Sequence, residues 1–593
     1  MAYIQSNIPS PNKKFDFSLQ NFTGGLCNRS AIPGSNQPTD VLNMAFNDND
    51  VMEKRRGSTY FDTFKLNSAV TFIDEFKPYD GENMLIRASE TELYFGPTKV
   101  RDITGRVQGV NYEGKYFFTD TTGLYVFGKF PQAKDGEYVD VQGTAFDGYT
   151  TLQVIDPPAG FTPLATSHVK GKHVYNYTNK TVWYEPCQNE IEDTFKQGNV
   201  VMARPKYIVM KQGRLFVAGN GKEDDSIYIS DVQNPYYFPA SLGLQLPPNS
   251  DRITGLVLFN DSVVVGRRDD IYHITGNTNR TDGSGNSFRL GFVNSHTGFA
   301  SPGSAKVAHN YLFFLGKDGN AYALNSSLNV SGTLASTLIS KDINFFDAPV
   351  NIKKADLKFA ESVFFEDDWY ITVNDKILIY NYRTQGWTQY DGLHARCFYE
   401  FEDILLWGNA GGMIAMPSED YTDFGAPYEA YWTSKIFDME DASSFKQFRD
   451  FFIVAHTFNS FKSDIFVTFE LDYSNVEMDI VISNEIARWG TTTFGNRFIS
   501  RSVNASEHFV VGRRARGLKF KLRNGYRLKG TVSDRAELIK NQGLKDFDTF
   551  FVESESVYYA YKDGSFIALD ISDYNQPMKV YQVNGEYEFR GKR

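Results

Sequence analysis

Short runs of four or five apolar or aromatic residues, each ending in a turn of Gly, Asn or Asp and resuming as a second apolar run, recur along most of the chain. Such a pair of runs is a β-hairpin signal. Eight are clear: Met84–Phe95 (MLIRASETELYF), Tyr116–Phe127 (YFFTDTTGLYVF), His173–Tyr184 (HVYNYTNKTVWY), Leu215–Ile229 (LFVAGNGKEDDSIYI), Val263–His273 (VVVGRRDDIYH), Leu312–Leu324 (LFFLGKDGNAYAL), Trp369–Tyr380 (WYITVNDKILIY) and Ile404–Met416 (ILLWGNAGGMIAM). Their starts are separated by 32, 57, 42, 48, 49, 57 and 35 residues, a mean of about 46. That is the length of a propeller blade, and radial stacking buries both faces of each blade, so consecutive apolar residues replace strict alternation. The pattern predicts a mainly β chain with a β-propeller of about six to eight blades over residues 61–425. A large β-sandwich would show turns every ~8 to 12 residues without this longer repeat.

Beyond residue 420 the pattern changes to longer strands. Leu518–Arg523 (LKFKLR) alternates apolar and basic residues, the period-2 mark of a strand with one face in a core and one in solvent. It lies in a basic segment with Arg513, Arg514, Arg516, Lys519, Lys521, Arg523, Arg527 and Lys529. Residues 426–593 read as a C-terminal β-sandwich-like domain, with one helix signal at Ser533–Gln542 closed by Gly543. Residues 1–60 hold Pro9, Pro11, Pro33 and Pro38 and only short apolar stretches. Unable to form a core alone, they are expected to extend as an N-terminal arm onto another domain or another copy.

Charge narrows the partners. Sixty-one Lys and Arg against 72 Asp and Glu leave a formal net charge of -11, opposite to the electrostatic footprint of a nucleic-acid binder. Three cysteines, Cys27, Cys187 and Cys397, stand far apart and form no CxxC, so they are expected to be buried thiols rather than a disulfide framework. No basic n-region precedes an apolar stretch at Met1–Pro11, and no apolar run reaches the ~18 to 20 residues that cross a bilayer. The expectation is a chain with neither a cleaved signal nor a membrane anchor.

Sites for chemistry are scarce. Gly123 to Lys129 fits G-x4-G-K, but Phe130 stands where a Mg²⁺-binding hydroxyl is needed, and strand amides committed to a ladder cannot cradle phosphate. His168 and His173, five apart on a strand, fall on opposite faces. The turn Asn47-Asp48-Asn49-Asp50 lacks the glycine and spaced glutamate of a calcium loop, and no GxSxG elbow exists. The acidic pairs Asp224/Asp225, Asp269/Asp270 and Asp367/Asp368 sit at hairpin tips, where solvated turn acids account for them, though glycosidases also place acids on loops. No enzyme, cofactor or metal site is called.

The segment Phe15–Tyr60 resembles the N-terminal signature of tail nozzle proteins, or tail tubular protein B, of short-tailed bacteriophages. The matching pieces are an NF-x-GG turn (Asn21, Phe22, Gly24, Gly25), a Pro-containing stretch, an LN pair (Leu42, Asn43), and an acidic turn followed by a basic-Gly element (Glu53, Lys54, Arg55, Arg56, Gly57). A second likeness lies in Trp432–Arg449, Val511–Asn524 and Tyr587–Arg593, similar to phage virion proteins that append a β-sandwich to a propeller-like region. The resemblance implies a non-enzymatic virion protein, assembled in the host cytoplasm. It would form a homo-oligomeric, hexameric ring below portal and adaptor proteins that lets genomic DNA pass without sequence-specific binding and docks tail fibres or a tail knob. The interaction residues carried over are Phe22, Gly24, Gly25, Arg55 and Arg56, joined by Arg513, Arg514 and Arg516 of the basic strand. The alternative, from aromatic and acid-tipped hairpins, is a propeller that binds or cleaves host-surface polysaccharide.

Overall fold

A computed structural model describes residues 14–46, 50–131, 138–139, 146–156, 171–186, 205–221, 223–239, 242–248, 251–276, 288–295, 297–325, 334–456, 464–472, 480–483, 504–524, 528–531, 549–552, 557–562, 565–569 and 578–589. The helix expected at Ser533–Gln542 lies outside them, as do His168 and Cys187.

Seven antiparallel sheets make a β-propeller. Blade 1 spans 72–102, blade 2 108–154, blade 3 207–245, blade 4 253–293, blade 5 305–338, blade 6 361–390 and blade 7 395–417. The first strands of blades 2 to 7 lie against one another in turn, and that of blade 7 returns to that of blade 1. Blades 1 and 2 are tied by Asn111, whose side chain donates to the Glu75 carbonyl at 2.7 Å and accepts from the Lys77 amide at 2.9 Å. The ring closes with borrowed chain: Ser58–Tyr60 pairs antiparallel with Ala415–Pro417 and supplies the fourth strand of blade 7. Closure of this kind leaves the ring no open seam between first and last blades.

Seven of the eight hairpins are the second and third strands of the seven blades. The eighth, at His173–Tyr184, is not a blade. Its strands Lys172–Asn176 and Thr181–Glu185 join the outer edge of blade 2, the latter running parallel to Phe146–Val154. This addition accounts for the long step from Tyr116 to Leu215, which holds one blade and its extension.

Apolar residues on both blade faces fill the spaces between blades, as in Ser262–Arg267, where only the first residue is not fully buried. Among the described residues each interface has its own cluster: Phe76, Phe95 and Tyr116 between blades 1 and 2, for example, and Val264, Phe299 and Phe314 between blades 4 and 5. The cluster between blades 5 and 6 does not stop at the ring. It runs from Phe313 and Trp369 through Phe345 and Trp387 to Phe22, and on into a second core.

That second core is a β-sandwich built from both ends of the chain. One sheet joins Met44–Phe46, Met52–Lys54, Lys579–Phe589, Lys446–His456 and Asn504–Ala515, with Lys14–Leu19 also on Lys579–Phe589. The other runs Asp40–Leu42, Ala430–Thr433, Leu518–Asn524, Asp464–Leu471, Ile480–Ser483. Phe451 bridges them, with ring centroids 4.8 Å from Phe469 and 5.2 Å from Phe520. Leu518–Asn524 alternates as read, with Leu518, Phe520 and Leu522 buried and Lys519, Lys521 and Arg523 turned outward. A further small sheet comprises Leu528–Thr531, Thr549–Val552, Val557–Lys562 and Ser565–Leu569.

Residues 14–60 are therefore extended and coreless, and they fold onto their own chain. They contribute three strands to one sandwich sheet, one to the other and one to blade 7. The propeller is an insertion between the two halves of the sandwich.

Candidate functional site

The residues of the N-terminal signature meet at the joint between sandwich and ring. Phe22 is fully buried edge-on to Trp432, centroids 5.3 Å apart. Gly25 has φ +75°, and a Cβ there would come 2.4 Å from the Trp387 amide nitrogen and 2.5 Å from the Gly386 Cα. Two backbones cross at this point with no room for side chains, and the Leu26 amide donates to the Trp387 carbonyl at 2.8 Å. A Cβ on Gly24 would lie 2.8 Å from the Asn36 carbonyl oxygen.

The LN pair and the basic-Gly element form the polar half of the joint. Asn43, fully buried at φ 54°, donates to the Asp391 carboxylate at 2.6 Å and the Glu429 carbonyl at 2.8 Å. Its Oδ1 accepts from Arg55 Nε at 2.9 Å. Arg55 forks onto Asp423 with 2.9 and 2.5 Å bonds, and the Tyr428 ring lies 4.0 Å from its guanidinium carbon. A buried bidentate pair of this kind satisfies both charges. Lys54 is buried too. Its ammonium donates to Asn524 at 3.2 Å and lies 4.4 Å from the Tyr428 ring centroid, and burial, helped by the neighbouring Arg55 charge, pushes its pKa down to about 7. Arg56 is exposed, bonded to the Glu419 carbonyl at 2.8 Å.

Phe22, Gly25 and Arg55 are thus engaged within the chain, with Gly24 half-buried beside them. Arg56, Arg514 and Arg516 face solvent, the last two over the Phe445 ring at 4.9 and 5.0 Å. Arg513 sits opposite Phe448 in its ladder, and its side chain lies outside the described residues. The neighbouring bases have partners: Lys519 pairs with Glu470 at 3.7 Å, Arg523 with Glu429 at 3.9 Å, and Lys521 lies 3.3 Å from the Tyr431 ring centroid.

The acidic pairs do not converge. Asp269, bonded to Lys317, and Asp270, 3.7 Å from Arg267, sit between the second and third strands of blade 4. Asp367 and Asp368 sit between the first and second strands of blade 6, at the opposite rim. Asp367 pairs with Arg383 at 2.8 Å, while burial lifts Asp368 to about 6 as it accepts from Asn381 at 2.8 Å. Asp225 accepts from Gln245 at 3.2 Å, and the Asp224 side chain lies outside the described residues. Gly123–Lys129 runs into the strand Leu124–Pro131, whose amides serve the ladder. Cys27 and Cys397 are buried free thiols, and burial pushes Cys397 up to about 12, leaving no thiolate nucleophile there at neutral pH.

One constellation had no sequence signal. A cavity of about 400 Å³ runs along the propeller axis, lined by the first strand of every blade. Asp74, hydrogen-bonded by the Tyr116 hydroxyl, is held above the usual carboxylate range by burial, and burial lowers Lys306. Arg106 pairs with Glu361 across the same space. These residues lie in different blades, so no local motif marks them.

No family model and no curated protein matches the chain. Solved structures do. They include a computationally designed protein, Ika8 (TM-score 0.31, 12% identity, 60% of this chain and 97% of that one). The Pan2 WD40 domain of Neurospora crassa is also similar (0.31, 7%, 63% and 97%), as is apo AztD from Citrobacter koseri (0.29, 9%, 64% and 97%).

Proposed function

We propose that this chain is a non-enzymatic structural component of a bacteriophage virion, the subunit of a ring-shaped tail nozzle or hub that lies below portal and adaptor, conducts DNA during ejection and docks fibres or a knob. The observation that carries the reading is the fate of the nozzle-like segment. Phe22, Gly25, Asn43 and Arg55 are spent on welding a propeller to a sandwich through one continuous core. A subunit that must transmit load between neighbours gains from such a weld.

Surface charge supports the same role. The turns between first and second strands of the blades expose Asp80, Glu82, Glu113, Asp261, Glu366 and Glu402 against one exposed lysine, Lys77, along one rim, and Lys519, Arg523 and Lys579 of the sandwich are ion-paired. Surfaces of this kind do not displace counterions from a DNA backbone and would not hold it during passage.

Mass photometry with negative-stain imaging of the purified protein, alone and mixed with portal vertices, tests the proposal. A ring of about six copies with a central hole is the expected result. A stable monomer under both conditions overturns it.

A further inference from the structure

Where the axial channel opens on the rim that carries the turns between second and third strands, a larger cavity of about 640 Å³ is formed by connections into blades 1, 2, 6 and 7. It shares Thr71 and Arg106 with the axial cavity. We propose that this mouth binds a neutral saccharide unit. The inference is independent of the virion role proposed above.

Three observations point to that chemistry. The first is Phe359, at the end of the short 3₁₀ helix Lys354–Phe359, which leaves half its surface in water while Leu357 of the same helix is buried. Single exposed apolar residues are common. This one, however, borders a concave wall whose other carbon-rich members are only Ala69 and Ala410. An aromatic platform in an otherwise polar pocket matches a sugar ring, which has one apolar face and a rim of hydroxyls.

The second observation is the mixture of donors and acceptors. A hydroxyl both donates and accepts, so a sugar needs both kinds of partner. Arg106 and Arg396 offer N–H groups beyond those that meet Glu361, Asn374 and Asp375, Glu90 offers acceptors, Asn374 offers its amide N–H groups, and the exposed Thr91 hydroxyl offers either kind. A site for a simple anion would present donors alone.

The third is charge balance. Arg106 is paired with Glu361, and Arg396 with Asp375 at 3.2 Å, so two of the three bases are neutralised in place. The remaining ammonium, that of Lys358, lies 4.7 Å from the Phe359 ring centroid, and the same wall carries the carboxylate of Glu90. A near-neutral pocket gives no electrostatic attraction to phosphate chains. Its volume falls within the range of roughly 300–1,000 Å³ usual for small-molecule sites.

Saturation-transfer NMR on the full-length protein, with the methyl glycosides of glucose, galactose, N-acetylglucosamine and glucuronic acid as probes, tests this directly. Saturation transfer to at least one neutral glycoside is expected. Phe359→Ala should weaken its affinity at least about tenfold, and Asn374→Ala by a smaller factor, and both replacements fall at exposed positions. Tyr79→Ala, at an exposed aromatic on the opposite rim, should change nothing. Transfer to none of the probes overturns the proposal. So does binding that Phe359→Ala leaves unchanged, or binding confined to the glucuronide. Mass photometry of the same variants reads ring formation separately, so loss of sugar binding and loss of assembly are distinguishable.

Discussion

The ring and the sandwich are both all-β, yet they are assembled in opposite ways. Six of the seven blades take all four strands from one stretch of chain, so most of their contacts are local in sequence, and blade 7 borrows only its fourth strand from afar. The turns themselves are tight: Glu113 and Gly114, His309 and Asn310, and Glu402 and Asp403 each place two successive residues at positive φ, as hairpin turns of the mirror-image type require. The sandwich has no such economy. Its central strand Lys579–Phe589 pairs with Lys14–Leu19, more than five hundred residues away, and Asp40–Leu42 pairs with Ala430–Thr433. A blade can form before its neighbours exist, whereas the sandwich must wait for both ends of the chain.

The sharpest way to break the contrast is to delete residues 1–60. A dangling arm could be removed without consequence. Here the deletion takes four strands from the sandwich and the closing strand from blade 7, so the expected product has no cooperative urea transition and aggregates on expression. A soluble truncated chain with a sharp transition would mean that ring and sandwich are independent of these strands.

Arg55→Ala tests the joint alone. It leaves Asp423 buried without its fork, and breaking a buried pair in this way costs about 3–5 kcal/mol. The urea midpoint should fall accordingly, with loss of the sandwich signal and of the ring signal together if one core spans both.

Lys54 adds a pH dependence with a definite sign. Its folded pKa of about 7 lies below its unfolded value of 10.5, so between these the unfolded chain binds more protons and stability rises with pH. Below pH 7 both states are protonated and the dependence ends. The stability of the native chain relative to Lys54→Met should therefore increase by on the order of a few kcal/mol from pH 7 to pH 10. A flat difference across that window would mean that Lys54 keeps its proton in the fold.

Much of the ring was legible because its period, apolar doublets and turn residues are all local signals. The count of blades was less so: the hairpin at His173–Tyr184 has the same pattern as the others and is told apart only by its parallel pairing to the edge of blade 2. The sandwich was half legible. LKFKLR announced its alternation, but nothing local says that Met44–Phe46 and Met52–Lys54 lie in the same sheet as Lys446–His456. The site residues divide in the same manner. The signature around Phe22 and Arg55 stands out in the sequence, but its intramolecular use follows only from what the fold sets against it. The axial residues Asp74, Lys306, Arg106 and Glu361, each from a different blade or the connection into it, leave no mark in any short window.

Gly25→Ala probes the backbone crossing at a smaller scale. The left-handed φ costs about 1–2 kcal/mol for a residue with a Cβ, and the contact with Trp387 adds to it, so a loss of about 2–3 kcal/mol in urea unfolding is expected. A neutral result would mean that strand Trp387–Tyr390 can retreat from the N-terminal turn, and that the weld is held by its polar half alone.

The smallest effect on stability is expected from Arg514→Glu with Arg516→Glu. Both side chains are exposed and rest on the Phe445 ring, so their replacement should move the urea midpoint by no more than about 0.5 kcal/mol in stability. That makes the pair a clean probe of the outer surface, because any loss of ring assembly in mass photometry would come from a contact between molecules and not from damage within one. Assembly lost at unchanged stability would put an intersubunit or adaptor contact on this edge of the sandwich. Assembly retained would move the contact to the propeller, where the turns between first and second strands expose Asp80, Glu82, Glu113, Asp261, Glu366 and Glu402.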